Sequence, residues 1–351
     1  MKISVCMIVK NEQKVISRCL DCVKQFADEI IIVDTGSTDN TKQIASKYTN
    51  KVFDFKWCDD FSKARNFSYS LASKDYIMWL DADDIIKSSE VEKIKKLKLN
   101  MNADTYMFKY TTCFDKDGKP LFSFYRERIV KRSLNLKWQG FVHEAIVPTG
   151  KIEYLDINIE HKKLDNMYSK RNLVLFRKAM IRGVEFSCRE QYYYSRELFY
   201  WGYYKSAIKQ FNKFLKMKNK FLPNIIDTYF MLSKCYQFTN QYYKAKQVLI
   251  ECINLYTPIN EIVCELANIF VKEGKYDVAA YYYESALNIE KKTKLGFFVK
   301  EEYYYLIPLT QLTSIYYKLG DYKKAETYHN KSKELYKDNE IVKYNSKFFQ
   351  D

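Results

Sequence analysis

The chain has 351 residues, 47% hydrophobic and 29% charged, with a formal net charge of +15 at pH 7. This is a globular composition without a low-complexity tract, long enough for two domains at ~100–200 residues each, and no stretch reaches the ~18 uninterrupted apolar residues that a membrane span needs. The lysines are spread over helical segments and no nucleic-acid-binding motif gathers them, so nucleic acid is not an expected partner.

The nine cysteines are an odd number, and several sit inside apolar runs where free thiols pack as small hydrophobes. That favours a reducing compartment. Met1 to Lys10 enter a strand pattern directly, with no signal peptide, so a cytoplasmic location is expected. Cys19 and Cys22 form a lone CxxC with no second pair at zinc spacing, and they read as part of an amphipathic helix.

From Met1 to about Leu80, apolar runs at Ile3 to Val9, Glu29 to Val33, Val52 to Phe55 and Tyr76 to Leu80 alternate with helical patterns. The helices fall near Glu12 to Gln25, Asp39 to Lys47 and Ser62 to Ala72. Strands separated by single helices imply βαβ units, a mostly parallel sheet and an open α/β sandwich. From Asp104 to about His161 the pattern is β-rich, and Thr105 to Cys113 and Phe122 to Lys131 flank the turn signal Asp115-Lys116-Asp117-Gly118. An antiparallel hairpin follows the parallel part.

Beyond about Lys170 strand signals stop, and a pattern of turn residue, aromatic and alanine recurs. Its copies are Gly202-Tyr203-Tyr204-Lys205-Ser206-Ala207, Asn240-Gln241-Tyr242-Tyr243-Lys244-Ala245, Gly274-Lys275-Tyr276-Asp277-Val278-Ala279 and Gly320-Asp321-Tyr322-Lys323-Lys324-Ala325. The alanines are spaced 245 − 207 = 38, 279 − 245 = 34 and 325 − 279 = 46, against a tetratricopeptide period of ~34, so the last gap holds an insertion around Glu290 to Glu302. The turn needs a residue tolerant of the left-handed region, and the small alanine lets the second helix approach the first. The expected domains are 1–165, catalytic, and 166–351, all-α helical repeats.

The densest chemical signal is Tyr76-Ile77-Met78-Trp79-Leu80-Asp81-Ala82-Asp83-Asp84, an apolar strand ending in three carboxylates. Asp81 and Asp83, two apart at a strand end, can share one divalent cation with diphosphate oxygens as its other ligands. A solvated loop or a helix cap is the plain alternative. The second strand also ends in an aspartate, Asp34, placed to accept hydrogen bonds from a ribose or a uracil, with Thr35 to Thr38 as the turn into a helix. Neither GxGxxG nor GxxxxGK[ST] occurs, which leaves a dinucleotide fold or a P-loop ATPase unsupported.

These residues resemble a family 2 glycosyltransferase of the GT-A fold. Val5-Cys6-Met7-Ile8-Val9-Lys10-Asn11-Glu12 is similar to that family's first strand and uridine-facing loop, and Val33-Asp34-Thr35-Gly36-Ser37-Thr38-Asp39 to its nucleotide motif. Asp60-Phe61-Ser62-Lys63-Ala64-Arg65-Asn66 resembles its donor-facing helix. Leu80-Asp81-Ala82-Asp83 resembles its DxD motif, and Trp138-Gln139-Gly140-Phe141-Val142-His143-Glu144 a subfamily motif beside the acceptor. The match runs from about Lys2 to His161. The layout, with tetratricopeptide-like helices after the catalytic domain, resembles the peptide S-glycosyltransferases of glycocin precursors.

The resemblance implies inverting transfer from a UDP-sugar with Mn²⁺ or Mg²⁺ as cofactor. A cation at Asp81 and Asp83, completed by His143, would stabilise the departing diphosphate. Glu144 is the candidate general base. Val9, Asn11, Glu12, Asp34, Ser37, Arg65, Asp81, Ala82 and Trp138 are the candidate nucleotide-sugar contacts. Arg65 and Arg128 are placed for the diphosphate or for surface salt bridges, and Trp57 and Trp138 for a sugar floor or for packing. His161 and His329 rank behind His143 because neither falls inside a motif.

The expected acceptor is a peptide or protein side chain, Cys or Ser, because helical-hairpin arrays present grooves to chains. A cell-envelope saccharide or a lipid-linked sugar comes second. Such surfaces also suit a homodimer. The reading of another class is a non-catalytic scaffold with a vestigial α/β domain, against which the intact acidic cluster and the His143-Glu144 pair argue. A nucleotidyltransferase would carry a basic Gly-rich triphosphate loop, and none is present.

Overall fold

Alternate residues of a strand face opposite ways, and a strand buried on both sides is therefore apolar throughout. β1 (Ile3–Val9) is such a strand in the computed structural model, which describes residues 1–114, 118, 120–162, 169–291, 297 and 299–349. Ile3, Val5, Met7 and Val9 join one hydrophobic cluster with α1 (Ile16–Val23). Cys6 points the other way, into a second cluster with Ile31, Val33, Ile77, Trp79 and Tyr69. Helices thus cover both faces.

The remaining elements of the sheet follow in order: β2 (Glu29–Asp34), α2 (Thr41–Ala45), β3 (Val52–Asp54), α3 (Phe61–Ser70) and β4 (Tyr76–Trp79). Each of the four strands begins on the residue expected from sequence and ends within one residue of it. Next come β5 (Asp84–Ile85), α4 (Ser88–Leu99), β6 (Thr105–Phe114), β7 (Pro120–Lys131), β8 (Ile152–His161) and α5 (Arg171–Ile181). The strand order is β3-β2-β1-β4-β7-β6-β8-β5. β1 pairs in parallel with β2 and β4, β2 with β3, and β6 with β8, while β4–β7, β6–β7 and β5–β8 are antiparallel. The mostly parallel sandwich and the expected hairpin are both present; its turn signal at 115–117 lies outside the described residues.

The chain divides into two compact units, Met1–Glu185 and Phe186–Asp351. The boundary expected at residue 165 lies outside the described residues, and α5 groups with the first unit. The second unit holds α6 (Cys188–Tyr200), α7 (Tyr204–Lys216), α8 (Leu222–Phe238), α9 (Tyr242–Leu255), α10 (Asn260–Lys272), α11 (Tyr276–Ala286), α12 (Leu306–Lys318), α13 (Tyr322–Leu335) and α14 (Glu340–Ser346). No helix among the described residues is long and apolar enough to cross a membrane.

Each recurring motif forms the turn between the two helices of a hairpin. Gly202, Asn240, Gly274 and Gly320 all adopt positive φ, from 57° to 79°, the left-handed region that glycine and asparagine tolerate. Ala207, Ala245, Ala279 and Ala325 are each 0% exposed, because a larger Cβ substituent would hold the paired helices apart.

A second regularity links neighbouring hairpins. The last residue of one hairpin's first helix sits on the first tyrosine of the preceding hairpin's second helix: Phe238 stacks on Tyr204 at 4.6 Å. Lys272 lies over Tyr242 at 5.3 Å and Lys318 over Tyr276 at 5.1 Å. Ring stacking and cation–π contact are interchangeable here because both need only a flat π face.

Replacing Ala279 with Leu should lower the stability of the helical unit by about 1–3 kcal/mol through overpacking. The urea midpoint of the helical signal measures it, and an unchanged midpoint would show that the close approach is dispensable.

Candidate functional site

The carboxyl ends of β2, β1 and β4 lie side by side, where open parallel sheets hold their ligands. Asp34 closes β2 and is buried. Its Oδ1 accepts the N–H groups of Gly36 at 2.9 Å and Ser37 at 2.8 Å. Its Oδ2 is buried and has no hydrogen-bond partner among the described residues. An unpaired buried acceptor costs about 1–3 kcal/mol. A ligand donor such as a uracil N–H or a ribose hydroxyl would relieve it.

The loop after β1 closes over this turn. The Asn11 N–H donates to Ser37 Oγ at 2.9 Å, and the Asn11 side-chain carbonyl accepts the Thr38 N–H at 2.8 Å, which fixes Asn11 at φ 56°. Val9 O accepts the Thr35 N–H at 2.9 Å, and the Glu12 N–H donates to Thr41 Oγ1 at 2.7 Å. Val9, Asn11, Glu12, Asp34 and Ser37 are therefore brought together as the motifs imply.

The acidic turn after β4 is neutralised residue by residue. Asp84 is fully buried against the fully buried Arg128, with Nη1 to Oδ2 at 3.0 Å. Asp84 also accepts the Tyr110 hydroxyl at 2.9 Å and the Asp81 N–H at 3.1 Å. Arg128 lies against the faces of Trp79 at 3.8 Å and Tyr110 at 4.1 Å. This guanidinium serves the turn from beneath, which excludes the diphosphate contact weighed for it from sequence.

Arg65 holds the next acid. It is presented by α3, whose first turn is capped by Asp60 accepting the Lys63 N–H. Arg65 Nη2 pairs with Asp81 Oδ1 at 2.8 Å and Nε with Glu144 Oε1 at 2.6 Å, and its guanidinium lies against Trp79 at 4.9 Å and Trp138 at 4.7 Å. Burial alone would raise the Asp81 carboxyl, but Arg65 holds it well below the ordinary carboxylate range. Trp138 is 3% exposed. It packs under Arg65 and exchanges two hydrogen bonds with Asn66, so it offers no open floor to a sugar. Ala82 is likewise buried, and Trp57 is tied by its Nε1–H to Asp59 at 3.2 Å.

The motif from Trp138 to Glu144 is a loop pinched shut by paired backbone hydrogen bonds between Gln139 and Ala145, at 2.9 and 3.1 Å, with Gly140 and His143 at positive φ. The pinch turns Glu144 toward Arg65. His143 Nε2 lies 3.5 Å from Asn172 Nδ2. The histidine beside the acidic turn is His161 instead, with Nδ1 at 3.2 Å from Asp83 Oδ1 and 3.3 Å from Asp84 Oδ1. The two-residue strand β5 causes this, since its register against β8 sets Asp84 opposite His161. Asp83, Asp84 and His161 each offer a ligand atom within 4.8 Å of the others, a grouping that among the described residues could hold a metal ion. Oxygen and imidazole donors suit Mn²⁺.

Glu12 faces the same acids. Burial and the charges of Asp83, Asp81 and Asp39 push its carboxyl up to about 7. A cation entering here would relieve that repulsion.

Residues 4–148 match the model described as Glycosyl transferase family 2, and residues 226–257, 265–295 and 309–343 match tetratricopeptide repeat models. The chain is 31% identical over 147 residues to the SPbeta prophage-derived glycosyltransferase SunS of Bacillus subtilis, covering 39% of this chain and 33% of that one. It is 46% identical over 83 residues to a TPR repeat-containing protein of Synechococcus elongatus, covering 24% and 21%. Among solved structures, S. aureus TarS 1-349 in complex with UDP-GlcNAc aligns at 14% identity and a TM-score of 0.39, covering 93% of this chain and 90% of that one. The chain spans less than two thirds of the length of the curated relatives it matches, a third of SunS among them.

The His161 contact carries a pH signature. Burial alone would lower the imidazole pKa, but hydrogen bonds and charges from Asp83 and Asp84 push it up to about 9 from an ordinary 6.5. A histidine raised on folding contributes stability that is complete below its unfolded value and is lost as pH rises through the folded one. Chelated protein should therefore lose stability between about pH 6.5 and 9, and His161→Gln should flatten that slope. Urea midpoints across this range measure it, and parallel slopes for the two proteins would refute the pairing.

Proposed function

We propose that this chain, which carries a glycosyl transferase family 2 domain followed by tetratricopeptide repeats, transfers a sugar with inversion from a UDP-sugar to an acceptor side chain. The observation that carries the reading is the unpartnered Asp34 Oδ2 at the end of β2, with the acidic turn two strands along the same sheet edge. Strands lie ~4.8 Å apart, so the two are roughly 10 Å from one another. That is about the reach from a uracil edge to its diphosphate.

Asp34 accepts from the nucleoside, and the loop of Val9, Asn11 and Glu12 closes against it through Ser37. Asp83 and His161 would hold a Mn²⁺ or Mg²⁺ ion, with His161 in the place first given to His143 and Asp81 held beside them by Arg65. The bound ion supplies Lewis acidity to the departing diphosphate. Glu144, its Oε1 fixed by Arg65, accepts the proton of the attacking hydroxyl or thiol on the face opposite the leaving group. The acceptor is a peptide or protein side chain, Cys or Ser, and the helical repeats favour an extended chain over a glycan.

Released UDP from a panel of UDP-sugars with Mn²⁺ tests the reading. Asp83→Ala should cut turnover at least 100-fold, and Glu144→Gln should stop transfer while UDP still binds by calorimetry. Wild-type turnover in Asp83→Ala, or no metal-dependent heat with UDP, sinks it, and an envelope saccharide accepted in preference to peptides would revise the acceptor alone.

A further inference from the structure

The insertion expected between the last two repeat motifs is 46 − 34 = 12 residues longer than one period. It is additional to the helical stack. Lys318 of α12 sits on Tyr276 of α11 as Lys272 sits on Tyr242, so the contact between hairpins continues across the extra residues unchanged. Residues 292–296 and 298 lie outside the described residues; Phe297 and Val299 to Tyr305 do not.

These described residues cross one face shared by α8 and α10. Asp227 and Glu261 are 261 − 227 = 34 residues apart, the spacing of Ala245 and Ala279, and so hold equivalent positions in successive repeats. The Lys300 N–H donates to Glu261 Oε1 at 2.9 Å. The Lys300 ammonium lies 3.6 Å from the Phe230 ring centre and 3.9 Å from Asp227 Oδ1. Tyr303 donates its hydroxyl to Glu265 Oε1 at 2.8 Å, sets its ring edge-on to Phe230 at 5.8 Å, and accepts Asn260 Nδ2–H at 3.2 Å on its carbonyl. Phe297, Val299, Tyr303 and Tyr304 are all buried. Glu301 to Tyr303 form one 3-10 turn, and side-chain carboxylates hold a backbone N–H, a lysine and a tyrosine around it, as a groove holds a short peptide.

The fit is incomplete. Glu261 Oε2 and Asn260 Oδ1 are buried without hydrogen-bond partners among the described residues, and burial raises the Glu261 carboxyl above its ordinary range. The space left among Ile226, Asp227, Phe230, Glu261, Phe297 and Lys300 is about 10 Å³, room for at most one water. Anything larger reaches those atoms only by displacing the segment.

We propose that this connection is an in-cis ligand of a peptide-binding groove on α8 and α10, and that the groove accepts in exchange a peptide that takes the same turn, with aromatic side chains three residues either side of a lysine, as Phe297, Lys300 and Tyr303 are. The occupant already seated there defines that chemistry, and the acids Asp227, Glu261 and Glu265 select the central cation.

A fluorescein-labelled peptide of the sequence of residues 297–305, titrated by anisotropy against the full chain without sugar donor, tests this independently of any transfer activity. Lys300→Ala with Tyr303→Ala, which frees the groove, should bind the peptide at least tenfold more tightly than wild type does. Adding Asp227→Asn and Glu261→Gln should remove the gain, and a peptide with Glu for the lysine should not bind. Equal binding to wild type and the freed variant, or none to a freed variant with native circular dichroism, overturns the proposal. Should the double variant not fold, amide exchange on wild type decides: excess peptide should speed exchange at Lys300, and no change overturns it.

Discussion

The buried ion pair between Asp84 and Arg128 is the constraint on which the acidic turn depends. Both side chains are 0% exposed, and removing either partner of such a pair costs about 3–5 kcal/mol because the survivor is left charged in the interior. Through Asp84 the pair reaches three other elements. Asp84 anchors the Asp81 N–H, takes the Tyr110 hydroxyl of β6 and stands opposite His161 in the β5–β8 register. The turn that projects Asp81 and Asp83 is therefore fastened from below, on a guanidinium wedged between Trp79 and Tyr110.

Three cations answer the three aspartates, and they are not equivalent. Arg128 serves Asp84 and Arg65 serves Asp81, and neither guanidinium gives up its proton under ordinary conditions. His161 serves Asp83 and alone of the three can become neutral. A divalent ion at this turn would need only a proton lost from His161, where the other two aspartates would each have to give up an arginine. That asymmetry is why the proposed metal ligands are Asp83 and His161, and why Asp81 is read as held in place by Arg65.

Elements whose cause is local were legible in the sequence. β1 to β4 are continuous apolar runs because both faces are buried, and the helical hairpins announce themselves through a left-handed turn residue and a small buried alanine. β5 is only Asp84 and Ile85, too short to leave a pattern, and it is the element that carries His161 to Asp83. β8 contains Glu153, Asp156 and Glu160, and its parallel place beside β6 is a property of the sheet rather than of its own residues. Arg65, Asp81 and Glu144 were each found in their motifs. Their joining into one bridge spans 144 − 65 = 79 residues and follows from α3 and the pinched loop meeting in space. Trp138 belongs to the same bridge as packing, which a motif that names an aromatic residue does not distinguish from a binding surface.

The helical unit shows the same division between local and distant causes. The spacing of its alanines revealed an insertion but not its destination, because Asp227 and Glu261 look like ordinary solvent-facing acids on amphipathic helices until the segment at Lys300, 300 − 227 = 73 and 300 − 261 = 39 residues further along, covers them. Acids at a fixed repeat phase lie on one face of the array, and an apolar face would have sufficed to seat a permanent structural segment. Buried carboxylates cost free energy, and whereas the structural carboxylate Asp84 is partnered by Arg128, Tyr110 and the Asp81 N–H, one of those in the groove has an oxygen still lacking a donor. Their presence is better explained by recognition, in which the groove's charge selects among occupants, than by a need to hold the helices together.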